Sequence, residues 1–478
     1  MFARYSLGNQ FINANMSMYR RDFLKNTFFC SGLFLAPKLL AAKEQPAQYE
    51  LIARPSLYKF TPNSKASNLW LYNDSSPGPT LTVQKGQELI VKVLNLLEEP
   101  TSIHWHGIRN VNHMDGVPDL TQNPIEPGEN FTYRFTAKDA GTFWYHAHSK
   151  AWEQVARGLY GALIVKTHNR KMSARDIVLL ADDWRLNKNF ALDESTFKNL
   201  HDWSHRGRLG NWLTINGKSK PEIILPNNGR VRFRLINTTN ARKLIFQFGA
   251  KQELRVISLD GAPCKPFTAK TITLAPGQRT DISVAIKKSL DAIYEVSSSQ
   301  KIIAARFSQS PNIDHNSNTD IVDEVKPWYP FPPQEDAKIV QIHMQGGAMG
   351  NLSSAIFEGE ERPLRELAVN SSKVWAFNGA IGGYGLELAS VSLGETVVLR
   401  IWNDTRFEHS MHLHGHHFWV RSKEFDGAPK TVLRDTYLMA PGEQAYFTFI
   451  ADNPGLWLLH CHMLEHHAAG MGGLIKVT

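Results

Sequence analysis

Apolar and polar residues alternate with period two through three blocks of the chain, each built to the same plan. In the first, residues 81–86 lead through Gly86 into 89–95, which ends on Asn95, and a Pro-Gly pair follows at Pro127-Gly128. The second runs from 221–225 through Gly229 into 231–237, ending on Asn237, with Pro276-Gly277 behind it. The third runs from 391–394 into 397–403, ending on Asn403, with Pro441-Gly442. Alternation, β-branched residues and Pro/Gly turns at short spacing predict antiparallel strands folded into β-sandwiches, and helical periodicity is nearly absent. Three sandwiches of roughly 120–150 residues fit the length. Pro, Asn, Ser and Asp crowd residues 309–335, which read as a linker between the second and third.

The N-terminus has a different pattern. Arg20-Arg21 precedes an apolar stretch over 27–36 and the small residues Ala41 and Ala42. Paired arginines, a short apolar region and a small-residue cleavage site predict a twin-arginine signal peptide over 1–42, hence the twin-arginine export machinery as a partner and a periplasmic protein. Cleavage removes five basic residues and one acidic one, lowering the formal charge from +8 to +4, too little to argue for nucleic acid. No apolar run is long enough for stable membrane insertion. The mature chain keeps Cys264 and Cys461, so its stability comes from apolar cores rather than a disulfide framework, and it is expected to be a monomer.

Nineteen histidines are the unusual entry in this composition, and fourteen fall in four windows: 104–113, 146–148, 409–417 and 460–467. On a strand, His-x-His puts both imidazoles on one face. Such pairs occur at His104/His106, His146/His148, His412/His414 and His460/His462, in the first and third blocks only. Nineteen residues separate Pro127 from His146 and Pro441 from His460, so the two outer blocks match in detail. Two equivalent domains each giving two pairs predict a metal cluster at their interface. Eight neutral imidazoles without carboxylates suit copper better than calcium, magnesium or a hydrolytic zinc pair. Cys461 must point away from its neighbours His460 and His462. With His409, His466 and an axial Met471 it forms the donor set of a blue-copper electron-transfer centre.

Taken together, His104-Trp105-His106-Gly107, Trp144-Tyr145-His146-Ala147-His148, His409-Ser410-Met411-His412-Leu413-His414-Gly415 and His460-Cys461-His462 with His466 and Met471 resemble the four copper motifs of the multicopper oxidases. The resemblance implies an all-β fold of three cupredoxin-like Greek-key domains: 43–170, a copper-free 171–308 and, after the linker, 336–478 with the type 1 copper. It implies four coppers per chain. His104 and His412 would hold type 2 copper. His106, His146 and His462 would hold one type 3 ion, and His148, His414 and His460 the other. His409, Cys461, His466 and Met471 would hold type 1 copper. Electrons from a reducing substrate would pass through Cys461 and its neighbours to the cluster, where dioxygen becomes water. Asp115 falls where the family places an acidic proton relay. Some relatives carry a second relay glutamate where this chain has His467, preceded by Glu465.

The substrate is read from weaker signals. Only Met344 and Met349 hint at a soft Cu(I) patch, and the approach to the third motif, 403–408, has no methionine. A laccase-like oxidation of phenols is therefore preferred over cuprous oxidation in copper homeostasis. A phenol would need an accessible imidazole edge at His409 or His466, with Asp404 or Glu408 to take its proton. Trp402 and Trp419 flank the third motif as possible shields. Cys264 reads as a buried small apolar residue, and His416 and His417 as groups that pack around or orient the ligands. His168, His201, His205, His315 and His343 have no evident partners. A zinc hydrolase, a copper store and a non-enzymatic export factor are the rival classes. The first would want carboxylate ligands, the second more sulfur, and the third would have lost ligands that are all present here.

Overall fold

The computed structural model describes residues 45–167, 175–249, 252–287, 290–297, 300–310, 326–423, 425 and 427–478. The expected leader over 1–42, the boundary near residue 170, most of the linker, His168 and His315 lie outside these residues. The described residues form an almost wholly β structure, with sheets arranged as sandwiches in each of the three repeats.

In the first repeat, one four-stranded sheet has Ala47–Tyr58 and Glu88–Asn95 at its centre. The facing sheet is ordered Gly78–Gln84, Tyr160–Lys166, Gly141–Ala147, Ile103–His106. Leu51, Val91, Trp105, Tyr133 and Tyr145 fill the space between them. The second repeat has sheets of six and five strands, and the third of nine and five. A continuous core joins these two, running through Phe233, Leu244, Leu399, Phe447 and Trp457.

Antiparallel pairing is not universal. Ala47–Tyr58 pairs parallel with Glu88–Asn95, and Lys338–Gly346 parallel with Thr396–Asn403. These strands meet by crossing between sheets rather than by a hairpin, a difference that alternation cannot register because it is the same for both pairings.

The sequence repeat is a hydrogen-bond repeat. Gly128 N–H donates to Asn95 O, Gly277 N–H to Asn237 O and Gly442 N–H to Asn403 O. The buried asparagine side chains then close the turn, with Nδ2 donating to Ile125 O, Leu274 O and Ala440 O respectively. Each Pro-Gly turn needs positive φ at its glycine, +82°, +86° and +76°. So the same asparagine lock fixes where the next strand enters in all three sandwiches.

In Gly141–Ala147 all seven residues are buried, and in Gly455–Cys461 the last five are. One face of each strand packs into its own sandwich. The other meets the opposite sandwich, so the alternation is lost where the histidines sit.

Candidate metal centre

Strand pairing assembles the histidines before any metal does. Ile103–His106 lies antiparallel to Gly141–Ala147 with His104 opposite His146. In the third sandwich His409–Leu413 lies antiparallel to Gly455–Cys461 with His412 opposite His460. The two sheets bring these rings face to face. His104 stacks on His414 and His106 on His412, each with ring centres 3.8 Å apart. His146 Nε2 is 3.4 Å from His462 Nε2, and the rings of His148 and His460 are 5.8 Å apart. All eight imidazoles are buried.

Hydrogen bonds to oxygens fix which ring nitrogen faces inward, because a carbonyl accepts only. His104 Nδ1–H donates to Asp115 O at 2.9 Å, and His412 Nδ1–H to Asp435 O at 2.8 Å. His146 and His460 donate from Nδ1 to the carbonyls of Ala147 and Cys461, both at 3.0 Å. His414 Nδ1–H donates to Asp115 Oδ2 at 2.7 Å. Each of these rings therefore turns the lone pair of Nε2 into the shared space. Nε2 of His104 and of His412, and Nδ1 of His106 and of His462, are buried with no hydrogen-bond partner.

Two such nitrogens, His414 Nε2 and His460 Nε2, face each other at 3.1 Å with both Nδ1 protons already committed. Opposed lone pairs at that distance are unfavourable unless a cation lies between them. Burial, and the proximity of the other rings, holds His106, His146, His148, His412, His414, His460 and His462 well below the usual imidazole pKa. The set presents nitrogen donors, and six of its eight rings (His104, His106, His146, His412, His414 and His460) are held by hydrogen bonds to oxygens, which fits copper and the orienting bonds a ligated imidazole needs. Geometry alone groups the nitrogens partly differently from the resemblance, with His104 close to His106 and His146 as well as to His412 and His414. His148, His414 and His460 offer nitrogens within 4.8 Å of one another, His104 and His412 face each other with bare Nε2 atoms, and His106, His146 and His462 ring the opposite side.

A second donor set lies one residue away. Cys461 Sγ is 3.6 Å from His409 Nδ1 and 3.7 Å from His466 Nδ1, and the two Nδ1 atoms are 3.0 Å apart. Their Nε2–H groups are spoken for: His409 donates to Thr405 Oγ1 and His466 to His205 O, both at 2.9 Å. The two Nδ1 lone pairs thus point at the sulfur and at each other, again an arrangement that wants a cation. His466 stands on the short helix Leu464–Ala468, and buried Met471 is tied to it through Met471 N–H to His466 O. Burial pushes the Cys461 thiol up to about 12.

The structure departs from expectation in how this set meets solvent. His409 and His466 are both 0% exposed, so neither presents an accessible edge. Thr405 Oγ1 and the His205 carbonyl cap their Nε2–H groups, and the buried Trp375 ring packs on both, 4.9 and 4.6 Å away. His205 is half-buried, and its ring stacks on exposed His201 with centres 4.0 Å apart. The carboxylates expected to take a proton are also engaged, Glu408 with Lys243 at 2.6 Å and Asp404 with His343 at 3.0 Å. His201, His205 and His343 therefore do have partners, and His343 also stacks on Trp402. Met344 is wholly buried whereas Met349 is 70% exposed, so no methionine patch forms from the two. Cys264 is buried, and Trp419 Nε1–H donates to Pro330 O.

Asp435 is the residue the histidine motifs gave no reason to single out. It is 0% exposed and accepts two hydrogen bonds from Arg279, at 2.7 and 2.6 Å. His106 Nε2 lies 3.3 Å and His417 Nε2 3.2 Å from its oxygens. Arg279 belongs to the second sandwich, so one buried carboxylate ties together all three. Arg279 and its neighbours hold Asp435 well below the usual carboxylate range despite burial. The available signal was an Arg-Asp pair, Arg434-Asp435, between two apolar strands. Replacing Arg279 by Met strands a buried charge, and we expect a loss of about 3–5 kcal/mol in urea denaturation of the metal-free protein. A loss below 1 kcal/mol would mean that the pair contributes nothing net.

Comparison with known proteins agrees with this geometry. Family models described as multicopper oxidase match residues 57–170, 175–326 and 360–478. A multicopper oxidase of Staphylococcus haemolyticus is 27% identical, with 90% of this chain and 88% of the relative aligned. Laccase-1 of Botryotinia fuckeliana is 29% identical, covering 84% and 77%. Among solved structures, Lac15 from a marine microbial metagenome is 30% identical with a TM-score of 0.68, covering 90% of this chain and all of that one. A Campylobacter jejuni multicopper oxidase described as a metallo-oxidase is 26% identical with a TM-score of 0.73, covering 91% and 93%.

Proposed function

Because this chain belongs to the multicopper oxidase family and is a copper-dependent oxidase, we propose that it oxidises phenols at the Cys461 site and reduces dioxygen at the eight-histidine site, with four coppers per chain. Copper held at both sites would supply one-electron chemistry, so that four electrons from the donor, with four protons, convert one dioxygen to two waters. His409, Cys461, His466 and Met471 would hold the type 1 ion, His104 and His412 the type 2 ion, and the other six imidazoles the type 3 pair.

One observation carries the proposal. Cys461 shares a strand end with His460 and His462, so the donor sets are a single residue apart. On one face lies the sulfur between His409 and His466, and on the other the imidazoles of the cluster. The chain's own contribution is placement and proton handling. Asp115 accepts from His414 with Oδ2, while Oδ1 is buried without a hydrogen-bond partner, an atom at which a proton can be held beside the cluster. The covered imidazoles at the sulfur site exclude water and leave His205 as the outward group nearest a docking donor.

Phenol is favoured over Cu(I) because Met344 is locked in the core, leaving exposed Met349 as a single sulfur rather than a soft patch. The test is oxygen uptake by copper-loaded protein with a methoxyphenol and with Cu(I), beside copper analysis and a visible spectrum. Four coppers per chain, an intense blue thiolate band and faster turnover of the phenol are expected. Faster turnover of Cu(I) would reassign the substrate to the metal-ion class, and a colourless protein would end the reading.

A further inference from the structure

A cavity of about 350 Å³ opens from solvent toward the cluster, with Lys150, Trp152, Lys373, Tyr384 and His467 around it and the candidate ligand His148 at its inner end. Its charge is one-sided. Lys150 is neutralised by Glu99 at 2.6 Å. Lys373 is not: its Nζ donates to Ala468 O at 2.8 Å, and among the described residues no carboxylate lies within ion-pair distance. Burial alone accounts for the lowering of its pKa, as for an ammonium held without a counter-ion. His467 borders the same cavity, its ring 4.4 Å from His460 and 5.8 Å from His148. Of the acidic groups near this mouth, Glu99 pairs with Lys150 and Asp115 bonds to His414, while exposed Asp119 lies on the Tyr384 side, away from any ion pair with Lys373.

A half-buried ammonium has three N–H donors, and only one is used here. The remaining donors border a small, mostly polar cavity lined by His148, His467, Trp152, Tyr384 and Leu464, with no carboxylate among its lining residues. We propose that Lys373 and His467 form a binding site for one small monovalent anion, of halide or formate size, in the passage between solvent and His148. The anion neutralises Lys373 and occupies the approach to the cluster, so it slows small molecules entering or leaving. Binding itself requires no copper; the inhibitory effect rests on the oxidase reading above.

Bromide is the probe, because its anomalous scattering locates it. Crystals of copper-free full-length protein soaked in sodium bromide should show a peak within hydrogen-bonding distance of Lys373 Nζ, retained in Lys373→Arg and lost in Lys373→Met. In the copper-loaded protein, Lys373→Met should raise the bromide concentration that halves oxygen uptake by roughly tenfold. Lys373→Gln, with thermal melts of each variant, guards against a folding defect. No peak in the copper-free protein, or the same peak in Lys373→Met, overturns the site. A peak at Lys373 with no inhibition keeps the site but overturns its position on the route. A protein that consumes no oxygen with any donor sinks the oxidase reading and leaves the bromide position still decisive.

Discussion

Copper-free protein taken from pH 8 to pH 5 should unfold in one steep, multi-proton transition, while the copper-loaded protein stays folded across the same range. Eleven imidazoles carry the effect, ten buried (His106, His146, His148, His409, His412, His414, His416, His460, His462 and His466) and one half-buried (His467). Desolvation is the leading cause in every case, with His416 lowered to about 4, His466 to about 3 and His467 to about 4. A depressed folded-state pKa means that the unfolded chain binds more protons once pH falls below the free imidazole value of about 6.5. Stability is then fully present above that value and is lost as pH falls toward the folded pKa, at roughly 1.4 kcal/mol per imidazole per pH unit. Even a few such groups acting together outrun the margin of about 5–15 kcal/mol by which native chains are stable. Copper reverses the balance, because it binds the neutral rings and must be displaced before they protonate. Circular dichroism against pH, with and without metal, gives the slope. A one-proton transition, or equal midpoints for the two forms, would show that the rings are not held neutral by the fold.

Replacing Cys461 by Ser should remove the blue band, reduce copper from four to three per chain and cut oxygen uptake roughly a thousandfold, about 4 kcal/mol of barrier. A serine hydroxyl does not ionise in reach of neutral pH and is a poor ligand for a soft ion. The thiol, held at about 12 in the metal-free fold, gives up one proton on metal binding. Copper uptake at this site should therefore strengthen by up to tenfold per pH unit in neutral buffer, a dependence absent from the variant. A variant that stayed blue would move the chromophore away from Cys461. The cluster histidines should keep their metal, because Cys461 contributes only its carbonyl to them.

Legibility followed the length scale of the signal. The strand repeat, its asparagine ends and the four His-x-His pairs could be read because each is local. Period-two geometry fixes which side chains share a face, whatever lies across the sandwich. Parallel pairing, the sealing of His409 and His466, and the Asp435–Arg279 contact could not. Residues 156 apart meet there, and nothing in either neighbourhood marks the other. His466 is covered from the second sandwich by the His205 carbonyl and from the third by the Trp375 ring. The missing glutamate at 467 was visible in the sequence. That its histidine would share a cavity with an uncompensated lysine from a segment almost a hundred residues earlier was not.

The middle sandwich, whose described residues contribute to none of the gathered donor sets, is the part of this chain least open to exchange. Gly277 sits at φ +86°, and a Cβ there would come within 3.0 Å of both His106 and His462. Two residues on, Arg279 reaches Asp435. A graft from another cupredoxin that matched every strand but carried alanine at the first position would press the two facing imidazoles apart. One that lost the arginine would release the carboxylate behind them. The second domain works as a die that sets the spacing of a site it never touches with a donor atom. A domain-swapped library should therefore retain function only where that Pro-Gly turn is transplanted whole.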